Sequence, residues 1–189
     1  MRTALGRTLA PGLIGILSAV ALPACSGSVP GLPDIPGTET QAAFNALEDP
    51  QQVPVLLRRE LGEAVTVRRV SLLENGFIAE VRDPQKRQNL DRYTYFYDKW
   101  DVEPVMVSQS DIDELDETTF GLGAVDWSVI PRLERKAVDS LDLEDEEVTV
   151  VSVDKIDDQP RIYINVNGSR GNGMLIANAR GGDVMVRRN

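Results

Sequence analysis

Histidine is absent from this 189-residue chain, and cysteine occurs once, at Cys25. The first absence removes the commonest general base and the commonest metal ligand, and with them the Ser-His and Cys-His hydrolases. The second rules out an intrachain disulfide, so the fold must rest on an apolar core. Cations are in deficit, with 20 Lys and Arg against 30 Asp and Glu. Arg2 and Arg7 fall in the first 24 residues, which hold no acid, so the rest carries 18 against 30, a formal charge of −12. A uniform surface of that sign repels nucleic-acid phosphates and anionic head groups, which excludes both as expected partners of the folded part. Long apolar runs are lacking too. The N-terminal one is broken by Pro11, Gly12 and Gly15 and is too short for a dependable membrane span.

What that N-terminal run does contain is directional. Arg2 and Arg7 form a positive start, Leu13 to Ala24 an apolar stretch, and Leu22, Pro23, Ala24 and Cys25 end it. The segment resembles a bacterial lipoprotein signal, in which a small-residue box directs acylation of the cysteine thiol and cleavage before it. Leu22, Ala24 and Cys25 match that pattern, and Pro23 departs from its usual occupant. An ordinary secretory signal wants small residues three and one before the cut, where Leu22 fits poorly. The resemblance implies residues 1–24 as a signal peptide, Cys25 as the lipidation site, and an extracytoplasmic location with lipid as the membrane partner. Two acyl chains make a stable anchor where one is marginal.

Residues 25–48 read as anchor and tether. Pro30, Pro33, Pro36, Gly27, Gly31 and Gly37 cannot build a packed core. The run from Gln41 to Leu47 suggests one or two helical turns, stopped by Pro50.

Beyond the tether the chain reads as two related units, 49–108 and 126–189, separated by an acidic connector, 109–125. Val53 to Leu61 aligns without a gap on Ile130 to Val138, so that Pro54 meets Pro131, Leu56 meets Leu133, and Arg58 and Arg59 meet Arg135 and Lys136. Apolar residues at Val53, Leu56, Leu61 and Ala64, and at Ile130, Leu133, Val138 and Leu141, predict an amphipathic helix opening each unit. Asp49, Asp126 and Ser128 are the expected N-caps. Period-two patterning follows: Val65 to Val70 and Phe77 to Val81 in the first unit, Val148 to Val153 and Ile162 to Val166 in the second. The Asn75-Gly76 step predicts a tight hairpin with both residues at positive φ. Strands Tyr93 to Tyr97 and Met174 to Ala179 come next, then turns at Asp98 to Asp101 and Arg180 to Asp183, then last strands from Val102 and Val184. The expected fold class is therefore α+β, two degenerate units of one helix followed by a four-stranded antiparallel meander. One helix covers one sheet face, so the uncovered faces must meet each other, meet a partner, or be polar.

The layout resembles tandem PepSY-like domains. Asn178 to Val184 is similar to the closing motif of that module, with Asn178 where an acidic residue is usual, and the first unit has only Tyr97 to Val102 there. It also resembles the tandem units of beta-lactamase-inhibitor proteins, in layout alone. These resemblances imply binding or peptidase modulation and carry over no catalytic residue.

Other constellations lead to structure rather than chemistry. Asp111, Asp113, Asp116 and Glu117 suggest calcium, yet Leu115 and Asp116 occupy positions where that loop needs an oxygen ligand and a glycine. Asp142 to Glu147 reads as a solvated loop. Ser152 and Lys155 match a Ser-x-x-Lys pattern, but three residues along a strand point to opposite faces. Asn167 to Gly171 is glycine-rich between two strands and reads as a hairpin turn, since a phosphate cradle needs a following helix. Aromatics are scarce, ten in all, and five fall between positions 93 and 100. Tyr93, Tyr95, Tyr97 and Trp100 are the candidate binding residues; alternation puts the three tyrosines on one face and Phe96 on the other. That stripe either forms a recognition surface or packs beneath the helix.

The expected function is a lipid-anchored envelope protein that acts by binding, as a modulator of a peptidase or of assembly, with an envelope protein as partner and no cofactor or metal. A second hypothesis is a carrier or sensor of an apolar small molecule held between the sheets. An enzyme would have only carboxylates, Lys, Ser or Tyr to work with, and nothing in the sequence pairs any two of them.

Overall fold

The computed structural model describes residues 44–189. The signal segment, Cys25 and residues 26–43 lie outside the described residues, whereas residues 44–48, expected to end the tether, are part of the fold, with Ala46 buried and Phe44 and Leu47 packed on the core. The element order is α1 (Gln52–Leu61), β1 (Thr66–Leu73), β2 (Gly76–Arg82), β3 (Leu90–Phe96), β4 (Lys99–Val105), α2 (Gln109–Thr118), β5 (Phe120–Gly121), α3 (Ile130–Leu141), β6 (Glu147–Ile156), β7 (Gln159–Gly168), β8 (Gly171–Asn178) and β9 (Met185–Arg188). Among the described residues no helix is long and apolar enough to cross a membrane. The class is α+β, the described residues forming three α-helices and a nine-stranded antiparallel sheet.

The strands run in the order β4-β3-β2-β1-β6-β7-β8-β9, and β5 pairs the start of β1. Each meander is as the periodicity predicts. Their relation is different from the expectation: β1 hydrogen-bonds β6 antiparallel, Val70 opposite Val153 and Leu72 opposite Val151, so both halves share one sheet and one core. Among the described residues there are not two sheets to enclose a ligand between them. The four seam residues just named are fully buried.

Helices α1 and α3 cover one face of this sheet. Ile130, Leu133, Ala137 and Leu141 are the buried stripe of α3, which packs on β7, β8 and β9. Each large aliphatic side chain so buried contributes about 1.5–3 kcal/mol. In α1 the buried residues are Val53, Pro54 and Leu57. Ala64 is not on that helix, because Gly62 takes φ 93° and returns its N–H to the Arg58 carbonyl, ending α1 at Leu61. Arg161 to Val166 in β7 and Gly173 to Asn178 in β8 alternate between buried and half-exposed residues, the pattern of a sheet covered on one side.

Several local expectations are corrected. Asp49 does not cap α1, whose N-cap Gln51 makes no side-chain bond. Asp126 caps a short 3-10 turn, Trp127–Val129, that runs into α3. Residues 46–48 form a turn, not a helix. Most of the acidic connector is α2, whose N-cap Ser108 and Asp111 exchange hydrogen bonds as a capping box. In the first hairpin positive φ falls on Gly76 (153°) and not on Asn75. Paired left-handed residues occur instead at Tyr97-Asp98 (51°, 59°) and Asp157-Asp158 (50°, 61°). Lys99 and Trp100 are consequently in β4, and Gln159 and Pro160 in β7.

Candidate functional site

Strand register decides which side chains share a face. Phe77 stands opposite Tyr95 and Leu72, Ala79 opposite Tyr93 and Val70, and Tyr95 opposite Trp100. Tyr93, Tyr95 and Trp100 therefore share the helix-covered face with Phe77, a fully buried ring. Phe44 joins them: its ring centroid is 6.2 Å from that of Phe77 and 5.8 Å from that of Tyr95. Tyr95 and Trp100 lie 4.7 Å apart. All three predicted residues are partly buried against the core. Burial first, then the hydrogen bond from the Tyr95 hydroxyl to Asp98 (3.0 Å), raises the Tyr95 phenol above its ordinary value. Tyr93 is also raised, by burial and then by Asp91, Glu60 and Asp83. Tyr97 leaves the stripe, sitting exposed in the left-handed turn.

The opposite face is the one left open among the described residues over β6, β7 and β8. One rung crosses all eight long strands: Asp101, Thr94, Ile78, Ser71, Ser152, Tyr163, Ile176 and Met185 stand successively opposite one another. Its central six members are half-exposed. The register places Met174 and Asn165 beside this rung on the same face. The result is a mixed surface of small hydroxyls, aliphatic side chains and one tyrosine. Burial, followed by the Asp154 charge, raises the Tyr163 phenol, so it stays a neutral hydrogen-bonding group at neutral pH.

Two residues along the strands, the same face carries alternating charge. Glu103, Arg92, Glu80, Arg69, Asp154 and Arg161 stand opposite one another across β4, β3, β2, β1, β6 and β7. Arg69 Nε lies 2.5 Å from Asp154 Oδ1, and Arg92 lies 3.6 Å from Glu80. A bulge between Val67 and Arg69 lets the adjacent Arg68 reach the same face, where its Nη2 lies 2.7 Å from Glu80 Oε2. Glu80 is thus buried yet paired on two sides.

Helix α2 borders this open face. Asp116 binds Arg82 and Arg87, 2.5 and 3.1 Å away, and its carboxyl is held below the ordinary range chiefly by the Arg82 hydrogen bond. Asp111 is lowered in the same direction by the Ser108 hydroxyl. These two carboxylates serve different partners. Among the described residues no three acids converge as metal ligands would. Ser152 belongs to the open rung, and Lys155, three residues along the same strand, directs Nζ to the Asp116 carbonyl at 3.5 Å. Asn167 to Gly171 forms the β7–β8 hairpin, Gly168 opposite Gly171. Asn178, singled out in the closing motif, accepts hydrogen bonds from the N–H groups of Arg180 and Gly182 and so shapes the β8–β9 turn.

A cleft of about 200 Å³ lies beside Tyr93, between Leu61, Val65, Val81 and the carboxylates of Asp83 and Asp91. It falls below the 300–1,000 Å³ usual for small-molecule sites. The open rung could not be seen in the sequence, because its residue types are individually ordinary and its continuity depends on the β1–β6 pairing.

No family model and no curated protein sequence matches the chain. Among solved structures it is similar to a protein from Clostridium difficile 630 described as a "putative lipoprotein". The two share 13% identity over 77% of this chain and 99% of that one, with a TM-score of 0.52. At that identity the likeness shows a common fold.

Proposed function

We propose that this is a lipid-anchored extracytoplasmic protein of the bacterial envelope that works by binding a protein partner on the open face of its sheet. The observation that carries the binding reading is the eight-strand rung from Asp101 to Met185, with Tyr163 and Ile176 on it half-exposed and, among the described residues, no helix on that face over β7 and β8. A face of mixed hydroxyl, aliphatic and tyrosine groups suits a protein surface better than a carried apolar molecule. Support for the anchor comes from Leu22 to Cys25 and from the description of the similar solved structure. In this reading acyl chains on Cys25 fix the chain to the membrane, the Pro- and Gly-rich run from Ser26 to Thr40 is the tether, and the partner is a peptidase or an assembly component of the envelope. The two helix-plus-meander halves are read as degenerate, PepSY-like copies that have fused their sheets.

Two experiments test it. Metabolic labelling with an alkynyl palmitate should mark the wild-type chain and leave Cys25→Ser unmarked; equal labelling of both removes the anchor. For binding, Tyr163→Glu combined with Ile176→Lys should abolish co-purification of the envelope partner while thermal unfolding stays cooperative. Undiminished co-purification would place recognition elsewhere.

A further inference from the structure

The aligned basic pairs, Arg58-Arg59 and Arg135-Lys136, are a sequence feature that neither the core nor the open face uses. Both lie on the helix layer that covers the other side of the sheet. Arg59, Arg132, Arg135 and Lys136 are exposed, and among the described residues Arg59, Arg135 and Lys136 form no salt bridge. Arg58 makes only a 4.0 Å contact to Glu63. Within α1 and α3 five cations face three carboxylates, Glu60, Glu134 and Asp139. Helix α2, bordering the open face, has Asp111, Asp113, Glu114, Asp116 and Glu117 and no cation. Within the helix bounds the charge is therefore unevenly divided: α1 and α3 together carry a net +2, flanked by Glu48, Asp49, Glu63 and Asp142, whereas α2 carries five carboxylates, of which Asp116 is paired with Arg82 and Arg87.

We infer that the outer surface of α1 and α3 docks on the anionic phospholipid of the membrane that holds the anchor, turning the open sheet face outward to its partner. The inference rests on the proposed anchor, which would keep the domain at high effective concentration above the bilayer. Charge complementarity chooses the orientation: each Lys or Arg near an anionic leaflet is attracted, and the five carboxylates of α2 are repelled. The expectation from net charge, that the folded part avoids anionic head groups, treats the charge as uniform and does not hold for this layer.

Lysine chemistry reads the orientation directly. The described chain has Lys86 in the β2–β3 loop, Lys99 at the start of β4 and Lys136 on α3, all exposed, with Lys155 mostly covered. The acylated full chain is mixed with an excess of vesicles of phosphatidylcholine alone, or with about one part in three phosphatidylglycerol, and modified with a water-soluble amine reagent. Modification of Lys136 should fall at least about threefold on the anionic vesicles, with Lys86 and Lys99 unchanged. High salt, or the variant Arg132→Glu with Arg135→Glu, should restore it. Equal Lys136 modification on both vesicles overturns the docking, as does parallel protection of Lys86 and Lys99, or protection on neutral vesicles alone. Loss of the chain from neutral vesicles would instead count against the anchor, while Lys136 on the anionic ones would still decide the docking.

Discussion

Arg69 on β1 and Asp154 on β6 are joined by a hydrogen-bonded ion pair, Nε to Oδ1 at 2.5 Å, across the seam where the two halves of the sheet meet. The bond to Asp154 raises the Arg69 guanidinium against the opposing effect of burial. Beneath it, on the covered face, Val70 packs opposite Val153. The seam is ionic on one side and apolar on the other.

Because Arg69 is more than half exposed, solvent screens the pair. Arg69→Ala, Asp154→Ala and the double variant should give a coupling of about 0.5–1 kcal/mol in a double-mutant cycle by urea unfolding. A coupling of zero would make the pair incidental to joining the halves.

Gly76 has φ 153°, and a Cβ there would lie 1.9 Å from the Tyr95 carbonyl oxygen. Gly76→Ala should cost about 2–4 kcal/mol, seen as a fall in thermal midpoint, because neither the turn nor the facing strand can retreat without breaking the β2–β3 ladder. A change under about 0.5 kcal/mol would mean that the hairpin is built otherwise.

The aromatic group on the covered face makes Tyr95 a packing residue. Tyr95→Ala removes contacts with Phe44, Phe77 and Trp100 and should lower stability by about 2–3 kcal/mol, with partner binding unchanged at temperatures where the variant is folded. Weakened binding without loss of stability would return the stripe to the role of a recognition surface.

Glu134 on α3 has one carboxylate oxygen buried without a hydrogen-bond partner, and burial raises its pKa to about 7, opposed by Arg135. The folded value lies above the unfolded value of 4.5, so the protonated acid is the form that the fold prefers. Its contribution is complete below the unfolded pKa and is lost as pH rises through about 7. Discounted for the part of the side chain that water screens, the loss is about 1–2 kcal/mol. Stability measured by denaturant should therefore fall between pH 5 and pH 8, and Glu134→Gln should flatten that slope and be more stable at the upper end. A Gln variant with an unchanged slope would assign the pH dependence to other groups.

Local pattern was enough for the two helices, most of the strands and the β7–β8 turn, because burial on one side leaves period 3.6 in α3 and period 2 in β7 and β8. The joined sheet had no such signature. Arg69 and Asp154 are 85 positions apart, and each strand of that pair reads the same whether it lies at an edge or in the middle. Helix α2 escaped notice because its acids outweigh the short apolar pair Ile112 and Leu115, although Ser108 and Asp111 already spell a capping box. Tyr97 was grouped with Tyr93 and Tyr95 by alternation that stops one residue earlier, where Asp98 accepts the left-handed turn. The charged rung has no signature in the sequence, because only register brings its members opposite one another.

Photo-crosslinking in living cells measures the central claim most directly. A photoreactive residue placed at Tyr163 or Ile176 on the open face should yield one discrete protein adduct, whereas the same residue at Arg135 on the helix layer should not. Protein adducts from Arg135 alone, with Tyr163 and Ile176 silent, would contradict the account.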